Sequence, residues 1–197
     1  MNAATLSTGS HKRLVMIAIE RDVAKKFIEK NHSHLHTPST WICHVAVADS
    51  GRLCCVAVLN RPCARLLCDG KTAEVGRVAS DGTPHAASKA LSAITRVAAL
   101  LGFGRIVSYT LLGEAGTTYV SCGYVATAVS AGGKWARGGE TRTRESQQLG
   151  AKVRWEFGPL AAPADESVAA LVSENSGKIA FSRRQERGTM FDFWENK

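Results

Sequence analysis

The sequence lacks any Cys-x-x-Cys pair and any long apolar run, and these absences exclude several classes of protein. Its six cysteines fit neither a zinc site nor a disulfide framework. Cys43, Cys54 and Cys55 lie in apolar strand patterns, where we expect reduced thiols packed as small apolar side chains. No apolar stretch approaches the length of about 18 residues that a transmembrane helix needs. Residues 1–13 also lack the apolar segment of a secretory signal. The sequence therefore predicts a cytoplasmic protein with no membrane partner.

Acidic residues are in the minority. The chain has 25 Lys and Arg against 17 Asp and Glu, which gives a formal net charge of +8. This balance favours a polyanionic partner such as nucleic acid. At 197 residues and 45% apolar content, the chain is long enough for one domain with a real core. We predict that residues 14–158 form this domain, that 1–13 are disordered, and that 159–197 are a linker and C-terminal extension.

The middle of the chain carries the clearest secondary-structure pattern. Short runs rich in β-branched residues alternate with segments in which apolar residues recur at helical spacing. The predicted order of strand, turn, helix, strand, helix and strand requires a sheet that is at least partly parallel. The predicted elements are Glu74–Ala79, the turn Ser80–Pro84, a helix that ends at Gly102, Arg105–Leu111, Glu114–Cys122 and Tyr124–Val129.

The turn before the first of these helices is a candidate phosphate site. It places the N-terminus of a helix at the carboxyl end of a strand, where backbone N–H groups bind anions. Small residues in the first helical turn would let a ligand approach these amides. A crossover unit that binds nothing would show the same periodicity, so a purely structural turn is the alternative. The candidate cofactor-binding residues are Asp81, Gly82, His85, Ala86, Ala87 and Ser88.

Several short motifs in this region resemble the core of the GNAT acyltransferase superfamily. More narrowly, they resemble phage and prophage proteins related to the Mom DNA-modification protein of phage Mu. The resemblance implies an α/β fold with a GNAT-like mixed sheet of about six strands and helices on both faces. It also implies an acyl donor, either acetyl-CoA or another activated acyl group. The motifs are Glu74-Val75-Gly76-Arg77, Ser80-Asp81-Gly82, Ser88, Ile106–Thr110, Gly116-Thr117 and Gly123-Tyr124.

One departure from the superfamily pattern lies in the turn. GNAT enzymes typically carry an Arg/Gln-x-x-Gly-x-Gly/Ala loop that binds pyrophosphate, whereas this chain has Asp81-Gly82-Thr83-Pro84-His85-Ala86-Ala87. The Mom-like proteins are similarly degenerate at this loop. The departure leaves the identity of the donor open.

Three histidines alternate after the first predicted helix, at His32, His34 and His36. In an extended segment they would project on one side. There they could ligate a metal ion or supply a general base, although a polar loop with incidental histidines is the alternative. The resemblance to the phage proteins favours His32 and His34 as the functional pair.

Glu74 and Arg77 lie three residues apart in the predicted central strand, so strict alternation places them on opposite faces. A charge in a central strand is either paired or functional. Glu74 is therefore a candidate general base, with a salt-bridge role as the alternative. Tyr109, on the next strand, is the candidate acid for the leaving group. GNAT enzymes often use a tyrosine from the later helix, which makes Tyr119 its rival.

Basic and aromatic residues outside this core suggest contacts with nucleic acid. Guanidinium groups suit phosphates, and tryptophan rings can stack on bases. Surface ion pairs and a solvated loop are the alternatives. The resemblance implies that the acyl acceptor is an exocyclic amino group of a DNA base, with adenine favoured. Acetyl-CoA-dependent N-acetylation of a small amine or protein, and non-catalytic DNA binding, remain open. The candidate DNA-binding residues are Arg61, Arg65, Trp135, Arg142 and Arg144.

Overall fold

The computed structural model describes residues 14–32, 37–131, 136–137, 140–141 and 150–176. Within these ranges, no helix has the length and apolar character needed to cross a membrane. The helices and strands, in chain order, are β1 (Leu14–Ile17), α1 (Arg21–Asn31), β2 (Cys43–Asp49), β3 (Arg52–Asn60), β4 (Thr72–Ser80), α2 (Ala86–Leu100), β5 (Arg105–Leu111), α3 (Thr117–Ser121), β6 (Val125–Ser130), β7 (Ala136–Arg137), β8 (Glu140–Thr141), β9 (Lys152–Phe157) and α4 (Glu166–Asn175).

Seven strands form one mixed sheet in the order β1-β2-β3-β4-β5-β9-β6. Strands β1 to β4 are antiparallel neighbours, and β4 pairs with β5 in parallel. Strand β9, the last strand in the sequence, lies between β5 and β6 and is antiparallel to both. The predicted α/β class is confirmed, with seven strands where about six were expected.

Helices cover both faces of the sheet, and the apolar run of β3 is therefore buried on both sides. Val56 and Val58 pack toward α1 with Ala24 and Ile28, in the smaller core cluster. The alternate positions of β3 belong to the larger cluster, which α2 covers. We refer to these two surfaces as the α1 face and the α2 face. A strand without polar alternation is typical of such a central position.

The chain after β9 is also attached to the sheet. The N–H of Leu160 donates to the carbonyl oxygen of Gly104, and the N–H of Asp165 donates to that of Ala126. Helix α4 then buries Val168 and Val172 in the cluster on the α2 face. The segment that precedes α4 therefore holds this helix against β6.

Local contacts determine where α1 and α3 begin, and the predicted start of α3 is wrong by a few residues. The N-cap of α1 is Glu20, without a side-chain cap bond, whereas Asp22 lies in the first turn. There its charge still complements the helix dipole. Helix α3 begins at Thr117 rather than at Glu114, because the Glu114 carboxylate accepts a hydrogen bond of 3.0 Å from the N–H of Leu111 and closes a turn instead.

Candidate active site

Strands β4 and β5 run side by side only at their beginnings. Among the described residues, their pairing consists of Thr72 with Arg105, Ala73 with Ile106 and Glu74 with Val107. Both strands then continue, β4 to Ser80 and β5 to Leu111, without pairing to each other. We call the space between their diverging parts the β4–β5 gap. Backbone N–H and C=O groups along such a gap are available to an extended ligand that carries amides of its own.

A β-bulge at Gly76 changes which side chains face the site. Leu59 pairs with Val75 and Val58 with Arg77, so Gly76 is the additional residue on β4. The bulge offsets the alternation by one position. Glu74 and Arg77 therefore lie on the same face, the α1 face, and the prediction of opposite faces is wrong.

Glu74 is a buried carboxylate at the beginning of the gap. It is 6% exposed, and its Oε2 accepts a hydrogen bond of 2.8 Å from the backbone N–H of Cys63. Burial raises its pKa, an effect that this hydrogen bond and the nearby charges of Arg77 and Lys152 only partly offset. A carboxylate with a raised pKa accepts a proton more readily, which is what a general base requires.

Two tyrosines flank the gap, one on each face. Tyr109 lies on the α1 face two residues after Val107, the partner of Glu74, and burial raises its pKa. Tyr119 lies on the α2 face, where its hydroxyl is 2.8 Å from Oγ of Ser108. Burial raises the pKa of Tyr119 to about 12. Both phenols are thus protonated at neutral pH and can act as proton donors.

Hydrogen bonds within the turn, and an ion pair with β3, stabilise the turn between β4 and α2. Asp81 accepts hydrogen bonds from the backbone N–H of Thr83 at 2.9 Å and from its hydroxyl at 2.7 Å, and it forms an ion pair with Arg52. Burial alone would raise the pKa of Asp81, but these hydrogen bonds and the Arg52 charge outweigh it and lower the pKa. Gly82 follows at a φ of 95°, which a glycine adopts without strain. Asp81 and Gly82 therefore shape the turn.

The N-terminus of α2 is open for an anion. Its N-cap, His85, is in the left-handed conformation at a φ of 63° and makes no side-chain cap bond. Ala86 is fully buried, and its N–H donates to the carbonyl oxygen of Thr83. The amides of Ala87 and Ser88 remain as the first-turn donors that a helix directs outward.

A groove of about 610 Å³ runs over the first turns of α2 toward α3. Lys89 contributes a positive charge to it, and Ser88 a hydroxyl. A phosphate-bearing ligand that begins at the α2 N-terminus would continue along this groove. Its lining residues are Leu14, His85, Ser88, Lys89, Ser92, Ser121 and Cys122.

The predicted DNA-binding residues fall in different places. Arg61 and Arg65 are exposed in the loop between β3 and β4, the loop that donates to Glu74 through Cys63. Trp135, Arg142 and Arg144 lie outside the described residues.

Of the predicted histidine pair, only His32 is described. It is half-buried at the C-cap of α1, and its backbone N–H donates to the carbonyl oxygen of Ile28. His34 and His36 lie outside the described residues. Over the part of the chain that the structure describes, no group of three or more His, Cys, Asp or Glu side chains could hold a metal ion. The metal role of His32 and His34 stays a prediction.

Sequence reasoning missed Ser108 and Asn60, which adjoin the site. It also did not place Arg154 beside Tyr109, its partner in the β5–β9 register. A glycine inside a central strand signals a bulge, so Gly76 was the available clue to the altered register.

Comparison with known proteins identifies the fold. No family model matches the sequence, and no curated protein matches it. A Bacillus subtilis acetyltransferase in complex with CoA is 15% identical and aligns over 75% of this chain and 99% of its own, with a TM-score of 0.51. The IAA acetyltransferase from Bacillus cereus is 14% identical over 74% of this chain and 99% of its own, with a TM-score of 0.53. A putative acetyltransferase of the GNAT family from Desulfovibrio desulfuricans is 11% identical over 74% of this chain and 99% of its own, with a TM-score of 0.52.

The chain has the fold of the GNAT acetyltransferases. At sequence identities this low, the similarity establishes the fold and not the reaction. The predicted fold is therefore confirmed, and the chemistry has to be argued from the residues that line the β4–β5 gap.

Proposed function

We propose that this protein is an acyl-CoA-dependent N-acyltransferase. One observation carries the proposal: a single gap in the sheet has an open helix N-terminus beyond the end of β4 and a buried carboxylate, Glu74, where the strands separate. This arrangement suits a long donor with a phosphate end and a reactive end. A GNAT-fold acetyltransferase of similar structure is described in complex with CoA, which supports a donor of this class.

The residues present fit such a donor. The amides of Ala87 and Ser88 can bind its pyrophosphate, and Lys89 adds a positive charge within the same groove. Arg52 neutralises Asp81, which reduces the repulsion that this carboxylate would exert on phosphates. His85, at the N-cap, borders the same position. The donor would supply an acyl group activated as a thioester.

Glu74 and a tyrosine carry out the proton transfers. Glu74 takes a proton from the acceptor nitrogen as this nitrogen forms its bond to the acyl carbon. A phenol protonates the sulfur that departs as the C–S bond breaks. Tyr119 is better placed than Tyr109 for this role, because it lies on the α2 face, where the phosphate groove also lies. Tyr109 then contacts the acceptor on the α1 face. His32 and His34 remain candidates for passing the acceptor's proton onward.

We further propose that the acceptor is an exocyclic amino group of a DNA base, as in the Mom-like phage proteins, with adenine favoured. Arg61 and Arg65 are exposed on the loop above Glu74, and Lys152 and Arg154 lie on the same face as Tyr109. The net charge of +8 is consistent with a polyanionic acceptor. A duplex base would have to leave the helical stack to reach Glu74.

Nucleoside mass spectrometry tests both parts of this proposal. DNA from cells that express the wild-type protein is compared with DNA from cells that express Glu74→Gln, and purified protein is incubated with acetyl-CoA and DNA. We expect an acylated nucleoside only with the wild type. Acetyl-CoA turnover on amines or peptides with unmodified DNA would contradict the DNA acceptor alone. DNA binding without any acyl transfer would contradict the enzyme.

A further inference from the structure

A buried amide oxygen beside the candidate base has no hydrogen-bond donor. Asn60, the last residue of β3, is 9% exposed. Among the described residues, its Oδ1 is the buried side-chain oxygen without a hydrogen-bond partner. Leaving a buried carbonyl oxygen unpaired is unfavourable, so native proteins rarely do so without a functional reason.

Asn60 lies directly across from Glu74 in the antiparallel register. Such partners share a face, with Cβ atoms about 4.5–5.5 Å apart. The amide fits there because the bulge residue is glycine: a Cβ on Gly76 would lie 2.3 Å from Nδ2 of Asn60. The nitrogen of the amide is thus packed against Gly76.

Only one protonation state of Glu74 can satisfy this oxygen. An ionised carboxylate accepts hydrogen bonds and has none to donate, whereas a protonated carboxyl donates one. Oε2 of Glu74 accepts from the backbone N–H of Cys63, and the Cys63 side chain also interacts with this carboxylate. We propose that Asn60 is a positioning residue for Glu74, whose carboxyl group donates a hydrogen bond to Oδ1 of Asn60 once it has taken the acceptor's proton. This inference rests on the proposed function, in which Glu74 is the base.

The other groups that face Glu74 come from several elements of the sheet and its loops. Cys63 faces it from the loop after β3, Tyr109 from β5 and Lys152 from β9, while Arg77 shares its strand. Helix α1 packs on the same face of the sheet through Ala24 and Ile28, against Val56, Val58 and Ala79. The positive charges of Arg77 and Lys152 favour the ionised carboxylate and only partly offset the burial that raises the pKa of Glu74. A hydrogen-bond acceptor at Asn60 would favour the protonated form further.

Carbon-13 NMR titration of Glu74 in the full chain tests the inference. The signal is assigned with Glu74→Gln, and the titration is repeated on Asn60→Ala and on the control Val58→Ala. Val58 is buried on the same face of β3, so its truncation opens space without removing a carbonyl. We expect the Glu74 pKa in Asn60→Ala to fall about one unit below that in Val58→Ala. A pKa equal to the control value, or above it, would overturn the inference.

Two further readouts keep the test decisive. If Asn60→Ala does not fold, Asn60→Ser is titrated instead, since its shorter side chain withdraws the oxygen and the same fall is expected. The titration needs no acyl acceptor, so it is independent of the proposed function. Acyl transfer by the wild type without the pKa difference would refute the inference alone. A pKa difference without any acyl transfer would refute the catalytic role together with the proposed function.

Discussion

Ser108 on β5 donates a hydrogen bond of 2.9 Å to the carbonyl oxygen of Val75 on β4, just beyond the last backbone pair of these strands. The same hydroxyl oxygen lies 2.8 Å from that of Tyr119. One serine thus connects the beginning of the β4–β5 gap to the tyrosine on the α2 face. Because the Tyr119 ring also stacks on Trp155 at a centroid distance of 5.5 Å, its hydroxyl is held in a defined position.

The two tyrosines are predicted to differ in their kinetic effects. If Tyr119 protonates the departing sulfur, Tyr119→Phe should lower kcat about 100-fold or more, with little change in KM for acetyl-CoA. Tyr109→Phe serves as the matched comparison and should mainly raise KM for the acceptor. Steady-state kinetics with both substrates varied provides the measurement. The reverse pattern would assign the proton donor to the α1 face.

Gly116 is predicted to be required for stability, because the Trp155 ring that stacks on Tyr119 leaves no room for a side chain there. It precedes α3 at a φ of 63°, and a Cβ there would lie 2.1 Å from Cζ2 of Trp155. Gly116→Ala should therefore lower the free energy of unfolding by about 2 kcal/mol or more, through backbone strain and overpacking. Gly82→Ala is the control, since Gly82 also has a positive φ but nothing within 4 Å of its Cβ position. Urea denaturation of both variants separates the clash from the strain, and equal losses would contradict the prediction.

Glu156 is predicted to hold the segment before α4 in place. Its carboxylate is fully buried and accepts hydrogen bonds from Arg105 at 2.7 and 2.8 Å and from the N–H of Ala162 at 2.9 Å. Glu156→Gln should cost about 3 kcal/mol of stability, because it removes the negative charge that faces Arg105 and Arg154 and replaces one acceptor oxygen with an amide N–H donor. Chemical denaturation of this variant and of the exposed control Glu166→Gln measures the difference.

The same carboxylate predicts a pH dependence of stability. Burial alone would raise the pKa of Glu156, but hydrogen bonds from Arg105, Ala162 and Thr127 outweigh it, and the pKa is lowered. A lowered pKa in the folded state stabilises the protein above the pKa of the unfolded chain. This contribution is lost as the pH falls toward the folded-state value. The wild type should therefore lose its advantage over Glu156→Gln on acidification below about pH 4.5, and a constant difference would contradict this.

Local patterns in the sequence predicted the elements well, whereas their pairing was harder to foresee. The strand Arg105–Leu111 is confirmed with the predicted bounds, because a run of β-branched and aromatic residues defines it locally. The orientation of Arg77 was wrong because the bulge at Gly76 depends on the register between β3 and β4. Arg154 meets Tyr109 only because β9 inserts between β5 and β6, which is a nonlocal event. Ser108 and Asn60 gain their roles from such pairings, so no local signal marks them.

The measurement that tests the central claim most directly is calorimetry with acetyl-CoA on the wild type and Ser88→Glu. If the donor's pyrophosphate binds at the N-terminus of α2, a carboxylate in the first turn of this helix should repel it. We predict saturable binding by the wild type and an affinity at least about tenfold lower for Ser88→Glu. The control Ser173→Glu, exposed on α4, should bind as the wild type does. No binding by the wild type, or equal affinities in all three proteins, would contradict the account.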